Sequence, residues 1–143
     1  MVYRAVLFDI GGVLTVSPVT RIINYCRDNA IPDDTRFAIF GPEDGPWSCF
    51  ERSELDRDGF AAAFDEHIRP SGAAVTGLGF MNWFFQGFEP RPEMLAVVEA
   101  LRPNYKLAAI TNNVARDEPS HKRTSGLDAH SLFEVVVESA LVG

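Results

Sequence analysis

The sequence predicts an α/β domain, on three observations. An apolar segment, Tyr3 to Phe8, ends at Asp9 and is followed closely by two glycines. Two further strand-like segments, Lys106–Thr111 and Phe133–Glu138, lie towards the end of the chain. Between the first and second strands, from Pro18 on, apolar residues recur at the spacing of helices. Strands separated by helical connections predict a Rossmann-like parallel sheet with an inserted all-helical segment.

The first strand covers Tyr3 to Phe8. A continuous apolar run bounded by glycines is typical of a strand that is buried on both faces of a parallel sheet. Gly11 and Gly12 permit a sharp turn and a close approach of the backbone to a ligand. The segment Val13–Val16 could extend this strand.

Residues 18–88 are predicted to form the helical insertion. Pro18 suits the first turn of a helix whose apolar face contains Ile22, Ile23 and Cys26. Caps and apolar spacing predict four more helices. They are a helix capped by Asp33 and Asp34 that runs through Phe37 and Phe40, a short helix Trp47–Arg52, a helix Phe60–Ile68 capped by Asp56 or Asp58, and an aromatic helix Phe80–Gln86. The aromatic helix is interpreted as core, with a substrate pocket wall or a dimer contact as alternatives.

Residues 1–17 and 89–143 are predicted to form the core domain. Pro90 and Pro92 open a helix with a buried stripe of Met94, Leu95, Val98 and Leu101. The second strand follows, then a polar loop through Gly126 and the third strand. The sequence stops at Gly143 without a following helix.

Length and composition exclude several classes of protein. The 143 residues fit one domain, and 46% of them are hydrophobic. A net charge of -7 argues against binding to nucleic acid or to an anionic membrane, because both need clustered Lys and Arg. Cys26 and Cys49 have neither metal-ligand spacing nor the density of a disulfide scaffold. Without a membrane span or a signal peptide, the expected location is the cytoplasm.

Polar residues lie where the predicted parallel strands end. Ligands bind beyond the carboxyl ends of such strands, and Asp9, Thr111 and Asn112 occupy these ends together with Glu138 and Ser139. Asp9 would be the nucleophile, Thr111 and Asn112 could donate to phosphoryl oxygens, and the amides of Ile10, Gly11 and Gly12 could form an anion-binding nest. The structural alternatives are an aspartate that caps a tight turn and a Thr-Asn pair that ends a strand.

Two motifs resemble those of a known family. Phe8-Asp9-Ile10-Gly11-Gly12-Val13-Leu14 is similar to the first motif of the haloacid dehalogenase (HAD) superfamily, and Ala109-Ile110-Thr111-Asn112-Asn113 is similar to its second. The helical insertion stands where that superfamily has its cap. Two further segments resemble the N-terminal domains of soluble epoxide hydrolases and of multidomain acyl-CoA dehydrogenases. They are Gly45-Pro46-Trp47 and Phe133-Glu134-Val135-Val136-Val137-Glu138-Ser139.

This resemblance implies a Mg²⁺-dependent phosphatase that acts on a small phosphorylated metabolite. Asp9 would form an aspartyl-phosphate, which divides one difficult displacement into two easier ones. A Mg²⁺ ion would bridge carboxylate and phosphate, with the Asp9 side chain and the Gly11 carbonyl among its ligands.

The sequence departs from the family pattern in two ways. Many family phosphatases have a second Asp two positions after the nucleophile, as general acid and base, and here that position is Gly11. The third and fourth motifs, a Lys and an acidic pair, would come after Gly143. The sheet is therefore expected to be incomplete at the C-terminus, with an apolar edge at the Asp9 strand that could mediate homo-oligomer formation.

Three alternatives stay open. A non-catalytic or truncated HAD-like domain could act as a binding or assembly module. A sugar-kinase-type ATPase also has a loop like Asp9-Ile10-Gly11-Gly12, although Pro18 and a helix follow here in place of a β-hairpin. Finally, a segment has spacings reminiscent of a calcium loop, at Glu54, Asp56, Asp58, Gly59 and Asp65, which the start of a helix explains equally well.

Overall fold

Three parallel strands form the sheet, in the spatial order β1-β2-β3. The computed structural model describes residues 3–112 and 127–138. The strands are β1 (Ala5–Asp9), β2 (Lys106–Thr111) and β3 (Val135–Glu138). Asp9 is in register with Ile110, and Thr111 is in register with Glu138, so the three carboxyl ends meet at one edge of the sheet. The predicted parallel sheet with a helical segment between β1 and β2 is confirmed.

Seven α-helices are formed by the described residues. Five lie between β1 and β2 in the predicted insertion, one precedes β2, and a short one precedes β3. They are α1 (Pro18–Asp28), α2 (Asp33–Phe40), α3 (Pro46–Glu51), α4 (Arg57–Ile68), α5 (Gly77–Phe85), α6 (Pro92–Leu101) and α7 (Ala129–Leu132), with a single 3-10 turn at Arg69–Ser71. None of these helices is long and apolar enough to cross a membrane, over the part of the chain that is described.

Side-chain caps set the starts of three helices. Ser17, Asp56 and Thr76 accept hydrogen bonds from backbone amides in the first turns of α1, α4 and α5. Because Thr76 caps α5, this helix begins at Gly77, three residues before the predicted start at Phe80. At α2 the prediction of aspartate caps is wrong, since Pro32 takes the cap position.

The calcium interpretation gains no support from this region. Asp56 accepts a hydrogen bond from Gly59 N at 2.7 Å, as a helix cap does. Asp65 accepts one from Gly77 N at 2.7 Å and so connects α4 to the start of α5. Asp56 and Asp65 therefore have roles within the helical packing.

Two segments near the strands differ from the prediction. Val13–Val16 does not extend β1, because Thr15 forms a single antiparallel bridge with Pro90. The third strand begins at Val135, two residues later than predicted, because Phe133 turns inwards and packs on Phe8 with 5.7 Å between ring centroids. The short helix α7 was not predicted, and the predicted polar loop at 113–126 lies outside the described residues.

The two faces of the sheet have very different environments. On the packed face, Phe8, Leu107 and Ala109 are buried with Val98 of α6. On the open face, Leu7, Ile110 and Val135 are exposed. Among the described residues the prediction that β1 is buried on both faces is therefore wrong, since α6 covers one side and Leu7 on the other side is exposed.

The buried hydrophobic residues form two clusters. One contains only residues between 22 and 88, and the aromatic side chains of α5 are at its centre, as the core interpretation predicts. The other contains residues between 6 and 14 and between 94 and 136. The domain boundaries at 17/18 and 88/89 remain a prediction. In the first cluster Cys26 is a free, buried thiol, and burial raises its pKa to about 11.

Candidate active site

Asp9 is the last residue of β1, and its side chain is exposed at the carboxyl edge of the sheet. Its Oδ1 accepts a hydrogen bond from the backbone N of Ile10 at 2.7 Å. This local bond turns the carboxylate towards the chain that follows. An exposed carboxylate at this edge is accessible to a ligand from solvent, as a nucleophile must be.

A tight turn, Ile10–Leu14, follows Asp9. Gly12 has φ of +83°, a backbone conformation that side chains other than glycine rarely adopt. Thr15 N closes the turn by donating to Ile10 O at 3.1 Å. At Gly11 a Cβ would lie 3.2 Å from Pro18 Cγ, so the start of α1 packs directly on this turn. The predicted sharp turn at these glycines is confirmed, and the predicted close approach of the backbone to a ligand remains a prediction.

The other predicted site residues lie along the same edge. Thr111 is the half-buried last residue of β2, and Asn112 follows it and is exposed. Glu138 ends β3 beside Thr111, and its Oε1 is 3.3 Å from His130 Nε2. The structure thus brings Asp9, the turn, Thr111 and Asn112 to one edge, while Ser139 lies outside the described residues. Their catalytic and phosphate-binding roles remain predictions.

Arg91 is a residue of this site that sequence reasoning missed. It precedes α6, and its Nη1 donates to the carbonyl oxygen of Gly12 at 3.4 Å. Its Nε also donates to Glu93 Oε1 at 2.8 Å, and the pKa of Glu93 is lowered by a bond from its own backbone amide and by Arg91. The sequence carries no local signal for this contact, because Gly12 and Arg91 are 79 positions apart.

Two short segments connect the helical insertion to the sheet directly beside the turn. Val16 N donates to Glu89 O at 3.0 Å, and Arg91 N donates to Leu14 O at 2.8 Å. The entry and exit of the insertion therefore run antiparallel and are hydrogen-bonded to each other. A shift of the insertion would be transmitted to the turn that follows Asp9.

Arg21 fixes the exit segment to α1. Its guanidinium carbon lies 4.3 Å from the centroid of the Trp83 ring and 5.5 Å from that of Phe88. Nη2 donates to Trp83 O at 3.2 Å, while the buried Nε has no hydrogen-bond partner among the described residues. Desolvation lowers the pKa of Arg21, and the charge of Glu89 partly opposes that shift. The aromatic contacts hold this arginine against the chain that returns to the sheet.

We expect Gly87→Ala to loosen this attachment, because a Cβ at position 87 would overlap with the Arg21 guanidinium. Loss of the cation–π contact and of one hydrogen bond should lower the free energy of unfolding by about 1–2 kcal/mol. A double-mutant cycle with Arg21→Met, followed by urea denaturation, checks the origin of the effect. If the losses in the free energy of unfolding caused by Gly87→Ala and by Arg21→Met simply add in the double variant, the contacts of Arg21 are not the cause of the Gly87→Ala effect.

Cation ligands in the described residues are few. Within 3–112 and 127–138, no group of three His, Cys, Asp or Glu side chains could hold a metal ion. At this edge of the sheet the oxygen donors include the carboxylates of Asp9 and Glu138 and nearby backbone carbonyls. Mg²⁺ accepts such a set, since it is often bound by one or two carboxylates while water and phosphate complete the octahedron.

A comparison with known sequences finds one informative relative. No family model matches the chain. Mouse acyl-CoA dehydrogenase family member 10 is 32% identical to it over 149 residues. The alignment covers 99% of this chain and only 14% of the mouse protein, so this chain corresponds to a small part of that relative.

Solved structures resemble the chain over nearly its whole length. A HAD family enzyme from Bacteroides thetaiotaomicron, in complex with magnesium and inorganic phosphate, has a TM-score of 0.64 and 18% identity, covering 98% of this chain and 70% of that one. A predicted HAD-like hydrolase from Porphyromonas gingivalis has a TM-score of 0.60 and 21% identity, covering 99% and 68%.

These likenesses define the fold. The chain has the fold of the HAD-like hydrolases, with a helical insertion between β1 and β2. More particularly, its sequence is similar to a segment of mouse acyl-CoA dehydrogenase family member 10.

Proposed function

We propose that this chain is a Mg²⁺-dependent phosphatase in which Asp9 attacks a small phosphorylated metabolite. The observation that carries the proposal is the position of Asp9 at the carboxyl end of β1, exposed and followed by a turn that only glycine at position 12 can easily form. The HAD-like hydrolase fold supports the same chemistry, and the structure from Bacteroides thetaiotaomicron binds magnesium and phosphate.

The proposed roles follow from the geometry of the edge. The Asp9 carboxylate would attack phosphorus, the alcohol or phenol would leave, and water would then hydrolyse the aspartyl-phosphate. The amides of Ile10, Gly11 and Gly12 would contact phosphoryl oxygens, together with Thr111 and Asn112. Arg91 holds the Gly12 carbonyl and would keep this turn in place.

Mg²⁺, when bound, would reduce the repulsion between the carboxylate and the phosphate. The Asp9 carboxylate and the Gly11 carbonyl would supply two of its oxygen donors. Because the described residues offer no cluster of carboxylates, we expect weak binding that depends on phosphate.

The leaving group limits the substrates. A positioned general acid accelerates such reactions by about 10²–10⁴-fold, and Gly11 occupies the position where many family phosphatases have one. We therefore expect hydrolysis of aryl or acyl phosphates, whose leaving groups need little protonation. Alkyl phosphates should react far more slowly.

The test is hydrolysis of an aryl phosphate by the chain with and without Mg²⁺, in parallel with Asp9→Asn. We expect turnover that requires Mg²⁺ and falls at least about 100-fold in the variant, which lacks the attacking oxyanion. Asp58→Asn, at an exposed position in α4, is the matched control and should keep full activity. Equal rates for the chain and Asp9→Asn would refute the proposal.

One alternative keeps support, that of a non-catalytic binding or assembly module. It is favoured by Gly11 and by the open face of the sheet. Phosphate binding without turnover would identify such a module. The sugar-kinase-type alternative has less support, because the chain after Gly12 continues into a turn and α1 in place of a hairpin.

Two further proposals rest on the sequence. A net charge of -7 favours a small-molecule substrate over nucleic acid or an anionic membrane. A cytoplasmic location remains our proposal from the sequence.

A further inference from the structure

Thr15 is a buried residue, 1% exposed, whose side-chain hydroxyl lies beside two carbonyl groups. Its Oγ1 is 3.3 Å from Ile10 O and 3.3 Å from Val16 O. Its backbone N also donates to Ile10 O, at 3.1 Å. The carbonyl oxygen of Ile10 can therefore accept two hydrogen bonds from the same residue, one from the backbone and one from the side chain.

The Ile10 carbonyl belongs to the peptide group that also carries the Gly11 amide. This peptide is trans and planar, so its C=O and its N–H point in opposite directions. Because Thr15 holds the oxygen on the buried side of the turn, the Gly11 N–H points away from that side. Hydrogen bonds to a peptide oxygen also polarise the N–H of the same group, which makes that N–H a stronger donor.

The Gly11 amide is important because the amide before it is already in use. Ile10 N donates to Asp9 Oδ1 at 2.7 Å, so any anion that reaches this amide must share it with the Asp9 carboxylate. The Gly11 amide is the next donor along the turn. Its direction therefore affects how firmly an anion beside Asp9 is held.

We propose that Thr15 is a positioning residue of the phosphate site, whose hydroxyl orients and strengthens the Gly11 amide as a donor to phosphate. This inference rests on the phosphatase proposed above. Thr15 is too deeply buried to contact a substrate, so it acts through the peptide group between Ile10 and Gly11.

The second carbonyl beside the hydroxyl makes the contact responsive to the ligand. A hydroxyl has one proton, so Thr15 donates either to Ile10 O or to Val16 O. An anion on the Gly11 N–H draws negative charge onto Ile10 O, which then becomes the better acceptor. Bound phosphate therefore directs the hydroxyl to the turn and releases the carbonyl of Val16 at the entry of the helical insertion.

Two substitutions separate this positioning from packing. Thr15→Val removes the hydroxyl and keeps the branched shape, whereas Thr15→Ser keeps the hydroxyl and removes a methyl group. In a ³¹P NMR titration with inorganic phosphate and Mg²⁺, we expect Thr15→Val to weaken binding about three- to tenfold, the equivalent of one ordinary hydrogen bond. Thr15→Ser should bind as tightly as the unchanged chain.

Stability should respond in the opposite order. Thr15→Ser leaves a small cavity and should lower the urea midpoint, while Thr15→Val should keep that midpoint or raise it. Thr20→Val, at an exposed threonine of α1, is the matched control and should leave phosphate binding unchanged. A residue that acted only through packing would not give weak binding in the more stable variant.

The Gly11 amide gives a readout that needs neither turnover nor phosphate. In the ligand-free chain its proton signal should move upfield in Thr15→Val, because the peptide is less polarised without the hydroxyl. In Thr15→Ser the signal should stay close to its original position.

The possible failures have different patterns. If the unchanged chain does not bind phosphate, the proposed phosphatase fails and this inference fails with it. If the unchanged chain binds phosphate and Thr15→Val binds it equally well, only the role of Thr15 is overturned. Equal weakening in Thr15→Val and Thr15→Ser, or an unmoved Gly11 signal in Thr15→Val, overturns that role as well.

Discussion

Gly77→Ala should destabilise the helical insertion more than any other single added methyl group that we consider. A Cβ at position 77 would lie 2.5 Å from Ala61 Cα and 2.7 Å from its carbonyl carbon, and closer still to the carbonyl oxygen. Gly77 is buried at the point where the start of α5 crosses α4, and its amide donates to Asp65. The helices must separate to admit the methyl group, so we expect a loss of about 3 kcal/mol or more in the free energy of unfolding.

Urea denaturation measures this loss, and two further variants identify its cause. Gly79→Ala makes the same change two residues later in α5, where the near atom is the Thr76 hydroxyl at 3.0 Å. Displacing that hydroxyl weakens the cap of α5, but alanine has a higher helix propensity than glycine, so the net cost should stay within about 1 kcal/mol. Ala61→Gly should not rescue Gly77→Ala, because the obstructing atoms belong to the Ala61 backbone. Rescue would contradict the explanation.

Phe80→Ala should be the most damaging truncation in the cluster of the insertion. Phe80 is fully buried, and seven aromatic rings have centroids within 6.3 Å of its own. The nearest are Tyr25 at 5.1 Å and Phe64 at 5.2 Å. Truncation leaves a cavity that these large rings cannot easily fill, and we expect a loss of about 3–5 kcal/mol.

The control is Phe37→Ala, at an exposed phenylalanine of α2. It should change the free energy of unfolding by no more than about 0.5 kcal/mol. Both variants are compared by urea denaturation with a common m-value, because a changed m-value would indicate a different denatured state. Equal midpoints for the two variants would show that the Phe80 cluster is not a stabilising core.

Much of the fold could be predicted because its signals are local. The apolar run before Asp9, the helix-forming prolines at 18 and 92, and the cap at Asp56 each act within a few residues. The candidate site followed from these elements by one topological rule, that parallel strands place their carboxyl ends at one edge. Register confirms that placement for Asp9 and Thr111.

The remainder depends on contacts between distant positions. Arg91 contacts Gly12 across 79 residues, and Phe133 turns inwards to reach Phe8, which delays the start of β3. The orientation of Arg21 depends on space that Gly87 leaves open. No local pattern encodes these contacts, because each requires the packed arrangement of two separate segments.

By itself the sequence determined the order and type of most helices and strands, including the helical insertion. It also determined that Asp9 follows an apolar strand. These features could be predicted because periodicity and capping are properties of neighbouring residues. Only the tertiary structure decided which face of the sheet is covered. The sequence of β1 is apolar at consecutive positions and cannot distinguish its two faces, whereas α6 packs on one of them and leaves Leu7, Ile110 and Val135 exposed.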